Sequence, residues 1–515
     1  MPLVPRSANL AADSPALSVR ANHRAENAAI FAIAAAVTLL HLFTNSRYGF
    51  HRDELQFLSD ARHMDWGFVA YPPFTPLVER ISMALFGLNM VGLRLFSALA
   101  QATAIIITGL MALELGGRRL AHVAAALAVA LSGLPLFEGT EFQYTTFDYL
   151  WWVLIAYFTI RLLKSDNPRW WLAIGAAVGL GLETKYAIVF FIAGLLVGVV
   201  LTPARRYFVS PWFWAGIAVA LLIFLPNFVW LTRHDFISYH FLQHIHVRDV
   251  AEGRANGFIK GQFLSCANLF AAPLWIVGLV AFLINRRYRM LAFMYLVPVA
   301  VFFFAKGRSY YTAGVYPMVL AMGAATCERW LAALPAWGRR TIESIFFAGL
   351  AAYGAFVIGG WVPLASTGPL RTFALNHSGD LREEIGWNQL VRTVAQIRDS
   401  LPPDQQEHLG ITTGNYGEYG AIDILGRAYG LPEPIGTTNS EWLRGYPTQQ
   451  ITTIIALGIR PDQADQIFTN CRIVAHNGNS EGIHNEELDD HPYIFLCGPP
   501  RKPWSEVWKE HKDFG

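Results

Sequence analysis

Charge is scarce in this chain. Lys, Arg, Asp and Glu make up only 15% of its 515 residues, where a soluble domain carries about 25%. That shortage argues against an ordinary soluble globular protein. The charges that exist nearly balance: a net charge of +2 leaves no basic surplus to hold nucleic acid. Cysteine is rare too. Cys266, Cys327, Cys471 and Cys497 form no CxxC motif, so the metal and redox sites that such motifs build are not signalled. Only Cys471 and Cys497 share a region, and they could pair if that region is extracytoplasmic. No segment repeats at a fixed period, which sets repeat architectures aside.

What the chain has in quantity is apolar sequence. It is 53% hydrophobic and 14% aromatic, with mean hydropathy +0.32. Apolar runs fall at roughly 28–43, 88–113, 120–137, 147–163, 170–182, 186–202, 212–231, 263–284, 290–305, 313–333 and 342–362. Most are near the ~20 residues needed to cross a bilayer; the run 170–182 is short and rich in glycine. Residues 76–87 suit a shorter interfacial helix. The expected fold class is an α-helical polytopic membrane protein of about eleven transmembrane helices, with a C-terminal extracytoplasmic α/β domain. Residues 1–26 read as a disordered cytoplasmic tail, 27–362 as the membrane domain and 363–515 as the extracytoplasmic domain.

Loop charge sets the expected orientation. Arg118/Arg119, Arg161/Lys164/Arg169, Arg205/Arg206, Arg286/Arg287/Arg289 and Arg339/Arg340 occupy alternate loops, and short basic loops stay in the cytoplasm. The remaining loops, with Asp53/Glu54, Glu138/Glu141/Asp148, Glu183/Lys185, residues 232–262 and Lys306/Arg308, then face outside together with the C-terminal region. In that region Gly410 to Gly420 reads as a strand, a glycine-rich turn and a helix through 421–425; 451–457, 461–468 and 471–475 read as strand, helix, strand. Gly414, Gly417 and Gly420 lack the spacing of a dinucleotide fingerprint.

Ionisable residues beside hydrocarbon are costly and commonly functional. Asp53 and Glu54 follow the first apolar run, in Tyr48-Gly-Phe-His-Arg-Asp-Glu-Leu55. They suit a general base beside an acceptor hydroxyl, or simply a solvated loop. Tyr71-Pro-Pro73 closes that loop with two rigid residues. Asp148 starts a later span, downstream of Glu138, Glu141, Gln143 and Tyr144; it is either a helix-start carboxylate or a second acid of the site. Lys185 interrupts an apolar hairpin, as half of a turn ion pair with Glu183 or as a cation for phosphate. Lys306-Gly-Arg-Ser-Tyr-Tyr311 places two cations and two tyrosines on the outer side, where the charge rule expects few cations, a good phosphate clamp or snorkelling side chains. His240 and His244 have metal-pair spacing but no third ligand placed by the sequence.

Taken in order, Arg52-Asp-Glu-Leu55, Trp66-Gly67, Tyr71-Pro-Pro73, Leu85-Phe-Gly87, Arg94-Leu95, Phe147-Asp-Tyr-Leu-Trp151, Thr184-Lys-Tyr186 and Lys306-Gly-Arg-Ser-Tyr-Tyr311 resemble the bacterial glycosyltransferase family 39. These are relatives of the lipid A aminoarabinose transferase and of protein O-mannosyltransferases, with the GT-C fold. The resemblance implies an inverting membrane glycosyltransferase. Its donor is a polyprenyl-phosphate-linked sugar, and its acceptor a glycan, lipid or protein outside the cytoplasmic membrane. On that pattern Asp53 is the catalytic base, with Glu54 beside it and Asp148 as second acid. Lys306, Arg308, Tyr310 and Lys185 hold the donor phosphate, and Tyr71 and Glu141 lie toward the acceptor. Arg308 stands where a histidine is expected, and Tyr71 where many relatives have histidine or another polar residue. No cofactor is implied with certainty; the two acids could hold a divalent cation. The competing reading is a lipid or glycan transporter, which predicts charges near the midplane and broken helices in paired halves.

Overall fold

The computed structural model describes residues 15–515, with side chains from residue 28 onward. Helix α1 (Pro15–Thr44) already covers part of the stretch expected as a tail; residues 1–14 of that tail lie outside the described residues. Three further helices frame the site: α2 (Arg52–Arg62), α3 (Phe74–Phe86) and α4 (Met90–Glu114).

Every apolar run coincides with helix. Among the described residues four helices are long and apolar enough to cross a membrane alone: Met90–Glu114, Tyr144–Ser165, Pro211–Arg233 and Ala336–Trp361. Two bent pairs would raise the number to six. Two expected single spans are broken. The run 120–137 divides into Arg119–Ala130 and Gly133–Phe137. The run 263–284 opens with a π-turn at Gln262–Cys266 and bends by 98°. Asn268 holds that bend by donating to the carbonyls of Leu131 and Leu350. Hydropathy averages over such breaks because the residues on both sides are apolar.

α2 is a different kind of helix. His51 caps its start: the ring accepts from the Asp53 backbone N–H, and Glu54 accepts from the His51 N–H at 2.8 Å. This reciprocal arrangement satisfies two orphan donors of the first turn. α2 is polar in sequence yet nearly all buried, because it lies between the helical bundle and the C-terminal region.

The C-terminal region is the expected α/β domain. Strands β1 (Leu409–Thr413), β2 (Ile435–Gly436), β3 (Thr453–Ala456), β4 (Arg472–His476) and β5 (Tyr493–Cys497) form one mixed sheet in the order β2-β1-β3-β5-β4. β1 pairs in parallel with β2 and β3; β5 runs antiparallel to β3 and β4. Helix Tyr416–Leu425 follows β1 as the sequence suggests. Cys471 and Cys497 are disulfide-bonded. The domain has a small cluster of its own around Ile454, Phe468 and Phe495, and its inner side shares a core with α2. Leu55, Phe57 and Leu58 of α2 share one hydrophobic cluster with Trp387, Val391, Ile411, Ile422 and Ile455.

Candidate active site

One cavity of about 990 Å³ collects most of the residues singled out from the sequence. Asp53, Tyr71, Glu141, Lys185, Lys306, Arg308 and Tyr310 all line it, joined by His51, Gln143, Tyr144, Arg248, Asp249, Tyr311 and Tyr416.

Asp53 reaches it from the first turn of α2. Its Oδ2 accepts from the Gln143 amide at 2.7 Å and its Oδ1 from the Tyr416 hydroxyl at 3.0 Å. Burial would raise its pKa, but His51, the Gln143 amide, Arg52 and the Tyr416 hydroxyl outweigh it and hold the carboxyl below its usual range. Asp53 is therefore ionised at neutral pH.

Glu54 is a correction. It is fully buried and faces away from the cavity, into a salt bridge with Arg94 of α4 at 2.7 Å. Its other contacts are the Arg94 Nε at 2.8 Å and the backbone N–H groups of Phe142 and His51, both at 2.8 Å. With every lone pair engaged it cannot take a substrate proton; it anchors α2. Successive residues of a helix point about 100° apart, so adjacent acids do not make a catalytic pair.

Lys185 sits in a cage of tyrosines. Its ammonium lies 4.6 Å from the ring centroid of Tyr144, 5.5 Å from Tyr310 and 4.5 Å from Tyr311. Burial lowers its pKa to about 8, against the pull of Asp148 and Glu138 and with the repulsion of Arg308. No carboxylate oxygen lies within salt-bridge distance of it among the described residues; the turn ion pair with Glu183 is not formed. Asp148 lines a small recess shared with Glu138, Lys185, Tyr310 and Tyr311 rather than the main cavity wall, and accepts from the Trp152 indole at 2.9 Å.

Arg308 is already committed. Its guanidinium makes a two-pronged contact with Asp249, at 2.6 and 2.5 Å. It presents an Arg–Asp pair to the cavity rather than a free fork. Lys306 takes a left-handed backbone conformation, φ 53°, and has no salt bridge among the described residues. Arg248, not foreseen, lines the same wall. Tyr71 gives its hydroxyl to Asp60 and packs against Phe57 and Tyr144, so it shapes the wall more than it offers a hydrogen bond. Glu141 lies 3.8 Å from the His51 ring, with Oε2 buried and unpartnered; burial and the neighbouring carboxylates push its pKa well up. Among the described residues no group of three or more His, Cys, Asp or Glu is arranged to hold a metal ion.

A carboxylate and a set of cations thus face one cavity, bridged by consecutive residues: Gln143 holds Asp53 and Tyr144 underlies Lys185. Residues 70–230 match the family described as dolichyl-phosphate-mannose-protein mannosyltransferase. The chain resembles the GT-C glycosyltransferases. It is 29% identical over 248 residues to the lipid A galacturonosyltransferase RgtD of Rhizobium johnstonii, covering 47% of this chain and 50% of that one. It is 27% identical over 273 residues to undecaprenyl phosphate-alpha-4-amino-4-deoxy-L-arabinose arabinosyl transferase 1 of Pseudomonas fluorescens, covering 49% and 47%. The chain spans about half the length of these curated relatives in the matched regions. In three dimensions the likeness is longer. ArnT from Cupriavidus metallidurans bound to undecaprenyl phosphate superposes with a TM-score of 0.55 over 90% of this chain and 97% of that one, at 15% identity. That similarity establishes the GT-C fold.

Proposed function

We propose that this chain is an inverting membrane glycosyltransferase. It moves a sugar from a polyprenyl-phosphate carrier to an acceptor at the outer face of the bacterial cytoplasmic membrane. The observation that carries this reading is the single cavity in which Asp53, ionised and held by two donors, faces Lys185 and Lys306. The acceptor hydroxyl gives its proton to Asp53 as its oxygen attacks the anomeric carbon. The bond from that carbon to the carrier's phosphate oxygen breaks on the opposite face. The electron pair leaves with the phosphate, whose growing charge is met by Lys185, Lys306 and the tyrosine hydroxyls. Arg248 adds positive potential to the same wall. Asp148 and Glu138 keep Lys185 from losing its proton altogether. The names of the relatives, a lipid A galacturonosyltransferase and an undecaprenyl-phosphate sugar transferase, support an undecaprenyl-type carrier and an envelope glycolipid acceptor.

The test is transfer from a panel of radiolabelled polyprenyl-phosphate sugars by membranes carrying the wild-type chain or Asp53→Asn. Loss of a general base costs about 10²–10⁴-fold in turnover, so the variant should bind carrier phosphate normally and transfer almost nothing. Equal transfer by both proteins would remove Asp53 from this role. Consumption of none of the donors would end the transferase reading.

A further inference from the structure

The helix that carries Asp53 is held along its length by the C-terminal domain. At its start the Tyr416 hydroxyl donates to Asp53, and the Arg52 guanidinium lies 4.6 Å from the centre of the same Tyr416 ring while pairing with Glu486. At mid-length Gly420 rests on Leu55; a Cβ there would come within 2.5 Å of the Leu55 carbonyl, so only glycine permits this approach. At the far end Asp423 pairs with Arg62 and accepts from Ser59 at 2.8 Å, and Arg444 donates to Asp60 at 2.6 Å. Tyr416 also lines the cavity.

We propose that Tyr416 is a positioning residue for Asp53, so that the C-terminal domain completes the catalytic site rather than merely covering it. This rests on the reading of Asp53 as the base. A carboxylate has about four lone-pair sites. Gln143 takes one on Oδ2 and Tyr416 one on Oδ1, which stops the group rotating and leaves the others for an incoming hydroxyl. A hydrogen bond to the charged form also favours ionisation. His51 at the cap of α2, Arg52 on α2, Glu141 just before and Tyr144 at the start of helix Tyr144–Ser165, and Tyr416 are titratable groups around Asp53 among the described residues. Asp380 of the C-terminal domain lines the same cavity, and Tyr416 is the residue of that domain whose side chain hydrogen-bonds to Asp53.

Tyr416→Phe in the full chain, reconstituted in liposomes, keeps the ring and its contact with Arg52 and deletes only the hydroxyl. With a donor that supports wild-type transfer, kcat should fall about tenfold with donor KM nearly unchanged. The acidic limb of the kcat/KM profile should move up by about one pH unit, the size of one lost charge-assisted hydrogen bond. The sign follows because activity needs ionised Asp53 and the lost hydroxyl had favoured that form. If Tyr416→Phe does not fold, 3-fluorotyrosine at position 416 fills nearly the same space with a more acidic hydroxyl and should move the limb down. An unmoved limb, or a change confined to KM, overturns the proposal. Asp53→Asn, run in parallel, separates the two claims: if it is dead while the limb stays fixed, the base stands and the role of Tyr416 falls.

Discussion

The residues of this site divide into those that advertise themselves and those that do not. Asp53, Lys185 and Lys306 could be found because a charge beside an apolar run stands out, and each does line the cavity. Glu54 stood out equally and serves a different purpose, since its salt bridge to Arg94 joins residues 40 apart. Tyr416 lies in the Gly410–Gly420 stretch read as strand and turn, but nothing there linked it to the carboxylate it holds 363 residues away, and Asp249 was hidden because nothing local marks it as the partner of Arg308. Lys185 supplies a pH test. Burial sets its pKa to about 8, below the ordinary lysine value, so the free enzyme loses this cation as pH rises past about 8. The profile of kcat/KM for the donor, which reports the free enzyme, should therefore fall above that pH. The limb in kcat should lie higher, because a bound phosphate favours the charged lysine. Lys185→Met should raise donor KM by about 10–100-fold, the loss of one charge-assisted contact, and abolish the limb. A limb that persists near pH 8 in that variant would assign it to another group.

At the scale of elements, α2 is fixed by charges as much as by packing. Arg94 is completely buried and contacts Glu54 at 2.7 Å and Glu384 of the C-terminal domain at 3.2 Å. It also donates to the carbonyls of Asn45 and Gly49. One guanidinium thus ties α4, α2, the end of α1 and the C-terminal domain together. Removing one member of a buried ion cluster strands the others, at a cost of about 3–5 kcal/mol. Arg94→Ala should lower thermal stability in detergent by that amount, and activity should drop with it as α2 shifts. A variant that unfolds at the wild-type temperature would show that the cluster contributes specificity without stability. The sequence marked Arg94 only as part of a motif, because its partners come from three distant segments. The helices themselves were legible from hydropathy, whereas their breaks at Leu131 and at Gln262–Cys266 were not. Those breaks are made by long-range hydrogen bonds such as Asn268 to Leu350, which a window of neighbouring residues does not register.

For the whole molecule, one hydrophobic cluster joins the C-terminal domain, α2 and the adjoining end of the helical bundle. The strand, helix, strand order around 451–475 was readable because its alternation is local; the order of strands in the sheet was not, since β5 inserts between β3 and β4. The disulfide is the feature that bears on the proposed placement of this domain outside the cytoplasm. Cys471 and Cys497 are 26 residues apart in sequence and bonded, and a loop of that size gains about 3 kcal/mol on closure. Such bonds persist outside the reducing cytoplasm, which is the side the charge rule expects for this domain. In intact cells, maleimide labelling should therefore leave Cys471 and Cys497 unmodified until a reductant is added. Cys471→Ser should free Cys497 for labelling by a membrane-impermeant reagent. The variant domain should lose about 3 kcal/mol of stability and become protease-sensitive at lower temperature. If both thiols label without reduction, and only with a reagent that crosses the membrane, the C-terminal domain lies in the cytoplasm. The site beside it would then face nucleotide donors, and the carrier-dependent reaction would have to be abandoned.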